Sequence, residues 1–402
     1  MDVANAWYAL AAAQLGARAI MRLLEVYQRP EAIFAATPRD WAVTTKLTSA
    51  GAERLLKVAG KDFSSELTRL ERLGIHMYGV TDADYPARLR TISDPPGVIF
   101  IKGTYLPEDA RAVAIVGSRS ASPYGRHAAA ELAIGLVRRG ITIISGMALG
   151  ADTAAHEGAL RAGGRTIAVF GCGLDYIYPP ENADLYQRIA ASGAIISEYP
   201  LGAPPTKISF PVRNRIISGL SLGVVVVEAP ERSGALITAD HAAEQGREVF
   251  AVPGGMDSPQ SRGSHELIRN GAKLVMSVED ILEELPVGTA PSRPASAPLA
   301  GPDWEALATV EETKMPIAEA PTPKLPRKRT PAAAPAPVAK PIPQLPPEEA
   351  AVLNQLTATA CHPDDIAEKT EMPTSQVNAA LLMLELKGLV QRRPGNLYVR
   401  LA

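Results

Sequence analysis

The sequence predicts an α/β protein whose core is a parallel sheet covered by helices on both faces. Two observations carry this. Short apolar runs open VAIVGSRSAS (113–122), ITIISGMALGADTAAH (141–156), TIAVFGCGLDYIYPP (166–180) and GVVVVEAPERSGALITAD (223–240), with no polar alternation, as expected of strands buried on both faces. Each run leads at once into a turn rich in small residues. In such sheets ligands sit outside the carboxyl ends of the strands. These turns therefore predict a trough of backbone N–H groups and helix N-termini suited to an anion.

The elements follow in order. Residues 1–73 read as a small helical module, with Trp7, Leu10 and Ala11, then Ile20, Leu23, Leu24 and Tyr27 at helical spacing, and Gly16, Pro30, Pro38 and Gly51 at turns. Its segment LTSAGAERLLKVAG (47–60) is either a packed helical cap or a helix-hairpin-helix element that holds a phosphate; only Lys46, Arg54 and Lys57 are basic there. Residues 74–286 are the α/β core. IHMYGV (75–80) and PGVIFIKG (96–103) supply its first strands, and helices are expected over 123–139, 151–163, 181–192, 211–220 and 235–246. EVFAVPG (248–254) gives another strand, and 263–285 reads helix, short strand, helix.

Residues 287–346 form a linker. The stretch 286–347 holds 16 of the 35 prolines and many alanines, so it is expected to be extended and mobile rather than to build a core. Its cluster Lys324, Arg327, Lys328 and Arg329 serves either solubility or loose phosphate contact. Residues 347–402 fold again: three helical patterns, the third begun by Pro373 and stopped by Gly388, precede strand, turn (Pro394-Gly395-Asn396) and strand. That is a winged helix. Its third helix offers Ser375, Gln376 and Asn378 but, among cations, only Lys387, so base reading looks weak; Arg392 and Arg393 on the wing suit phosphates. A protein-contact role is the other reading.

Composition narrows the classes. With 402 residues, 21% charged and 46% hydrophobic, the chain holds two or three globular domains. A net charge of −2 excludes a basic nucleic-acid coat, so a polyanion must meet a local patch. Asp2, Arg18 and Arg22 argue against a signal peptide, and no apolar run reaches a membrane span. Two distant cysteines, Cys172 and Cys361, fit a reducing cytoplasm. The six histidines show no metal spacing, and neither metal nor cofactor is expected.

Three ligand readings compete. The turn Gly117-Ser118-Arg119 has one glycine where a dinucleotide fingerprint asks for three. A phosphoribohydrolase-like nucleotide-processing enzyme would need a late P-G-G-x-G-T-x-x-E turn. Here Pro253-Gly254-Gly255 is followed by Met256-Asp257-Ser258, without the glutamate. Asp152, His156, Glu198 and Glu228 are scattered polar groups, as readily helix caps or arginine partners as catalysts. The third reading, a single-stranded nucleic-acid site, rests on PPTKISFPVRNRIISGLS (204–221). A loop presents Lys207 and Phe210, and a helix brings Arg213, Asn214 and Arg215 to its start. Cations beside a stacking ring suit single strands. The alternative is that Phe210 is core and that Arg213 and Arg215 pair with Glu198 and Glu228. Arg119, after Gly117-Ser118 at a strand end, suits a phosphate.

Seven segments, GSR (117–119), SGMALGADTAAHEGAL (145–160), GCGLDYIYP (171–179), SEYPLG (197–202), FPVRNRIISGLS (210–221), VVEAPERSGALITA (226–239) and VFAVPGG (249–255), resemble the DNA-processing DprA (Smf) family, in the family's order. The resemblance implies an extended Rossmann-like core, flanked by a helical domain of sterile-alpha-motif type and a winged helix. It implies a homodimer that binds single-stranded DNA cooperatively, protects incoming DNA and loads RecA recombinase during natural transformation, without catalysing a reaction. It also implies a DNA pocket of Ser118, Arg119, Lys207 and Phe210, with donors near Gly234 and Thr238.

Overall fold

Helices open the chain: α1 (Val3–Ala12), α2 (Ala17–Tyr27), α3 (Pro30–Ala35), α4 (Pro38–Thr45), α5 (Ser49–Val58) and α6 (Ser64–Arg72). Asp2 caps α1 by accepting from the Asn5 amide at 2.8 Å, and Thr37 with Asp40 forms a reciprocal capping box on α4. The computed structural model describes residues 1–285, 345–357, 361–393 and 396–401. Most of the expected linker, with its basic cluster, lies outside the described residues, as do Pro394 and Gly395 of the wing turn.

The strands are β1 (Ile75–Gly79), β2 (Val98–Gly103), β3 (Ala112–Val116), β4 (Thr142–Ser145), β5 (Thr166–Phe170), β6 (Ala194–Ser197), β7 (Gly223–Val226), β8 (Glu248–Ala251) and β9 (Lys273–Leu274). They form one sheet in the order β1-β2-β6-β5-β4-β3-β7-β8-β9. From β6 to β9 every pairing is parallel. The expectation of a parallel sheet fails at one edge, where β2 runs antiparallel to β6 and β1 antiparallel to β2. Helix α1 covers that edge. Tyr8 meets Phe100 edge-on at 5.9 Å, and the Trp7 indole lies so close to Gly79 that any Cβ there would overlap it. The helical module and the sheet thus share one continuous apolar core, from Trp7 to Ala242. The 47–60 segment is the packed cap: Leu55 is fully buried and α5 contacts α1.

Between the strands run α7 (Ala87–Arg90), α8 (Pro123–Arg138), α9 (Ala151–Arg161), α10 (Ala183–Ser192), α11 (Ser209–Leu220) and α12 (Gly234–Glu244), then α13 (Arg262–Arg269) and α14 (Val278–Leu282). The five long core helices stand within two residues of their expected ends. Helix α11 begins two residues early, which places Phe210 in its first turn rather than on the loop. Strand order reverses between β3 and β7, a topological switch point.

The C-terminal unit is the expected winged helix: α15 (Pro347–Gln355), α16 (Pro363–Thr370) and α17 (Thr374–Leu386), with β10 (Val390–Arg393) antiparallel to β11 (Leu397–Arg400). It has an apolar cluster of its own. It rests on the rest of the molecule through Arg22–Glu368 at 3.1 Å and Arg392–Glu244 at 2.9 Å. Among the described residues no helix is long and apolar enough to cross a membrane.

Candidate nucleic-acid interface

Two internal carboxylates already occupy the anion positions that the turns predict. At the switch point Glu228 leaves β7 and reaches the turn after β3. Its backbone carbonyl accepts from the Ser118 amide at 2.7 Å. Its carboxylate accepts from the Ser122 amide at 2.8 Å and the Ser122 hydroxyl at 2.6 Å. The Ser120 amide donates to Ser118 Oγ at 3.2 Å. After β4, Asp152 at the start of α9 accepts from the Gly146 and Ala148 amides at 3.1 and 3.2 Å. A carboxylate beside a helix N-terminus takes up these turn amides and the dipole that would otherwise attract an external anion. These turns therefore offer a phosphate fewer amides than the sequence suggests. Neither acid stands free as a catalytic group.

What remains exposed is a set of side chains over the ends of β3, β4 and β5. Arg119 is exposed, and its guanidinium lies 5.2 Å from the centroid of the Phe210 ring. Phe210 is half-buried. Gly171 makes room for it, since a Cβ there would come within 3.1 Å of Phe210 Cδ1. Tyr178 lies against Phe210 with centroids 5.4 Å apart and planes 30° from parallel. Arg119, Leu149, Tyr178 and Phe210 border a cavity of about 90 Å³ over Gly146 and Arg213. Lys207 stands exposed on the preceding loop, which Thr206 and Ser209 pin to α11 by exchanged hydrogen bonds of 3.0 and 3.2 Å.

Arg213, Asn214 and Arg215 are not part of that rim. Arg213 is 4% exposed and donates to the Gly146 carbonyl at 2.9 Å; its guanidinium lies 5.9 Å from the Phe210 centroid. Burial lowers its pKa to about 10, against the attraction of Asp152. Burial raises the Asp152 carboxyl, against Arg213 and the two amides. Arg213 is thus the floor of the site. Arg215 pairs with Glu198 at 2.6 Å and Asp94 at 3.3 Å. The sequence alternative that pairs these arginines with Glu198 and Glu228 is half correct: Glu228 serves the first turn instead. Asn214 is buried and donates to the Gly234 carbonyl at 3.0 Å. Thr238 is buried and donates to the same carbonyl at 3.4 Å. Gly234 itself is exposed and opens onto a crevice facing the winged helix, away from Phe210.

Gly117 and Ser118 shape the first turn, and the Ser118 hydroxyl lies 3.3 Å from Gln260 Oε1. Cys172 is buried, and burial pushes its thiol up to about 11, so it packs rather than reacts. Sequence reasoning missed Tyr178 and Leu149. Both are 40% exposed, and the one available signal was the aromatic run YIY at 176–178 within the third small-residue turn.

Comparison with known proteins agrees with this architecture. Residues 76–286 match the family model of DNA recombination-mediator protein A, and residues 332–396 match the DprA winged helix domain. Protein Smf of Escherichia coli is 39% identical over 364 residues, covering 89% of this chain and 86% of that protein. The DNA processing protein DprA of Bacillus subtilis is 46% identical over 214 residues, 53% of this chain and 72% of that one. The crystal structure of DNA processing protein A from Streptococcus pneumoniae superposes with a TM-score of 0.63 at 37% identity, covering 72% of this chain and all of that one. With over half its length matched by the family model, and the seven segments set around one sheet edge, this chain belongs to the DprA (Smf) family of DNA-processing proteins.

Proposed function

We propose that the chain binds single-stranded DNA at the carboxyl edge of its sheet, protects it, and passes it to RecA recombinase during natural transformation. The observation that carries the binding is the exposed arginine over a half-buried ring. Arg119 and Lys207 supply mobile-ended cations for phosphates. Phe210, backed by Tyr178, supplies an apolar platform for an unpaired base. Gly117 and Ser118 set the turn that aims Arg119. Arg213 and Asn214 hold α11 in place beneath the ring, and Gly234 and Thr238 secure the neighbouring helix.

A duplex hides its base faces, so single strands should be preferred. Titration of single- and double-stranded oligonucleotides across salt concentrations tests this. Single-strand affinity should fall with a log–log slope of about −0.7 per phosphate neutralised. Equal affinity for both at physiological salt would sink the reading.

The core is also proposed to pair with a second copy. Strand β9 is the edge of the sheet beyond β8, and beside it Met276 is 80% exposed. Edge strands invite pairing, and a two-fold dimer would let one DNA strand engage two sites. Sedimentation as a strict monomer at micromolar concentration would argue against it.

A further inference from the structure

The winged helix turns its DNA-reading parts inward. Arg392, the wing cation, is 10% exposed at its side chain. It donates to Glu244 at 2.9 Å, to His241 Nδ1 at 3.0 Å and to Asn396 at 3.0 Å. Burial lowers the His241 pKa to about 4, so its ring is neutral at physiological pH and accepts that bond. The start of α17, with Thr374, Ser375 and Gln376, lines an open cleft of about 350 Å³ bordered on its far side by the N-terminal helices and the loop before α11. Farther along, Leu382 and Glu385 face a second cavity of about 410 Å³ against Leu236 and Ile237 of α12.

This contact differs from the one made by the N-terminal helices. Those share a single apolar core with the sheet, whereas the winged helix keeps its own cluster apart. An interface that leaves open clefts between two separate apolar clusters and is held by ion pairs at Arg392–Glu244 and Arg22–Glu368 is separable. Parting it leaves both apolar cores intact.

We infer that the winged helix is masked in cis: Glu244 of the core takes the place of a DNA phosphate on Arg392, and the core and N-terminal helices partly cover Ser375 and Asn378 of the reading helix. The docked wing offers duplex DNA Arg393 but not Arg392. Undocking frees Arg392 and the half-buried Ser375 and Asn378, beside Gln376, which is exposed already. The inference is independent of the single-strand site at Phe210, which lies on a different edge of α11.

The test uses the full chain. Glu244→Gln removes the latch while keeping its shape, Arg392→Glu removes it from the other side, and the double variant Glu244→Arg with Arg392→Glu rebuilds it reversed. Small-angle scattering should show a compact wild type, expansion in both single variants, and recovered compactness in the double variant. An oligonucleotide duplex of random sequence should bind Glu244→Gln more tightly, on the order of tenfold, because the competent state is no longer a minority. Arg392→Glu should expand without that gain, since it lacks the exposed cation. An expanded wild type, unchanged dimensions in both single variants, or expansion of Glu244→Gln without tighter duplex binding would each overturn the inference. Circular dichroism confirms that every variant is folded.

Discussion

The sheet edge and the wing carry the same pair, an arginine over an aromatic ring, in opposite surroundings. Arg119 lies 5.2 Å from Phe210, and Arg392 lies 5.8 Å from Tyr398. Among the described residues Arg119 forms no salt bridge, and its side chain stands in solvent. Arg392 is buried against Glu244, and Tyr398 is 6% exposed. The motif alone does not make a binding site. A carboxylate within reach, and the loss of solvent that comes with it, converts a ligand contact into a structural one.

The sharpest test of that contrast is Arg213, which belongs to the sheet edge by position and to the buried class by environment. Arg213→Ala leaves the buried Gly146 carbonyl without its donor. It should cost about 1–3 kcal/mol of stability in denaturant unfolding. Loss of affinity with unchanged stability would move Arg213 to the exposed class.

Arg119→Ala should do the reverse. Single-strand binding should weaken by about 1.5–3 kcal/mol through the lost charge-assisted contact, with the melting temperature held. Phe210→Ala should cost roughly 1–3 kcal/mol of binding if the ring stacks on a base. If instead the melting temperature falls and affinity per folded molecule stays, the ring is core.

The buried layer beneath the edge also predicts a pH dependence. His156 is fully buried, bonded to Thr166 Oγ1 at 2.6 Å, and burial, then Arg213, lowers its pKa to about 3. The unfolded chain takes up this proton near pH 6.5 while the folded one refuses it. The stability contribution is therefore complete above pH 6.5 and is lost as pH falls toward 3, at about 1.4 kcal/mol per pH unit. His156→Gln should flatten that part of the stability–pH curve; an unchanged slope would show that the site already opens to solvent.

Arg392→Ala should have the smallest effect on single-strand affinity, within about 0.5 kcal/mol of zero, as measured by the same titration. A loss as large as that of Arg119→Ala would place both rings in one DNA path and erase the contrast.

Much of this molecule was legible along the chain. Unbroken β-branched runs with small-residue turns gave strands β3, β4, β5 and β7, because a strand covered on both faces admits no polar alternation. Gly117-Ser118-Arg119, Lys207 and Phe210 stood out because cations and a ring at strand ends are locally encoded. The antiparallel edge was not legible, since strand direction depends on how the chain returns and not on the residues of the strand.

The sequence by itself determined most of the core elements and their order, the winged helix and the family, but not strand β6. Only the tertiary structure decided which charges are free. Glu228 reaches Ser122 across 106 residues of chain, Arg213 reaches Gly146 across 67, and Arg392 reaches Glu244 across 148. Pairing and burial arise from contacts between segments that sequence spacing leaves unrelated. For that reason four arginines the sequence offers as phosphate contacts divide into one exposed cation, two buried struts and one latch.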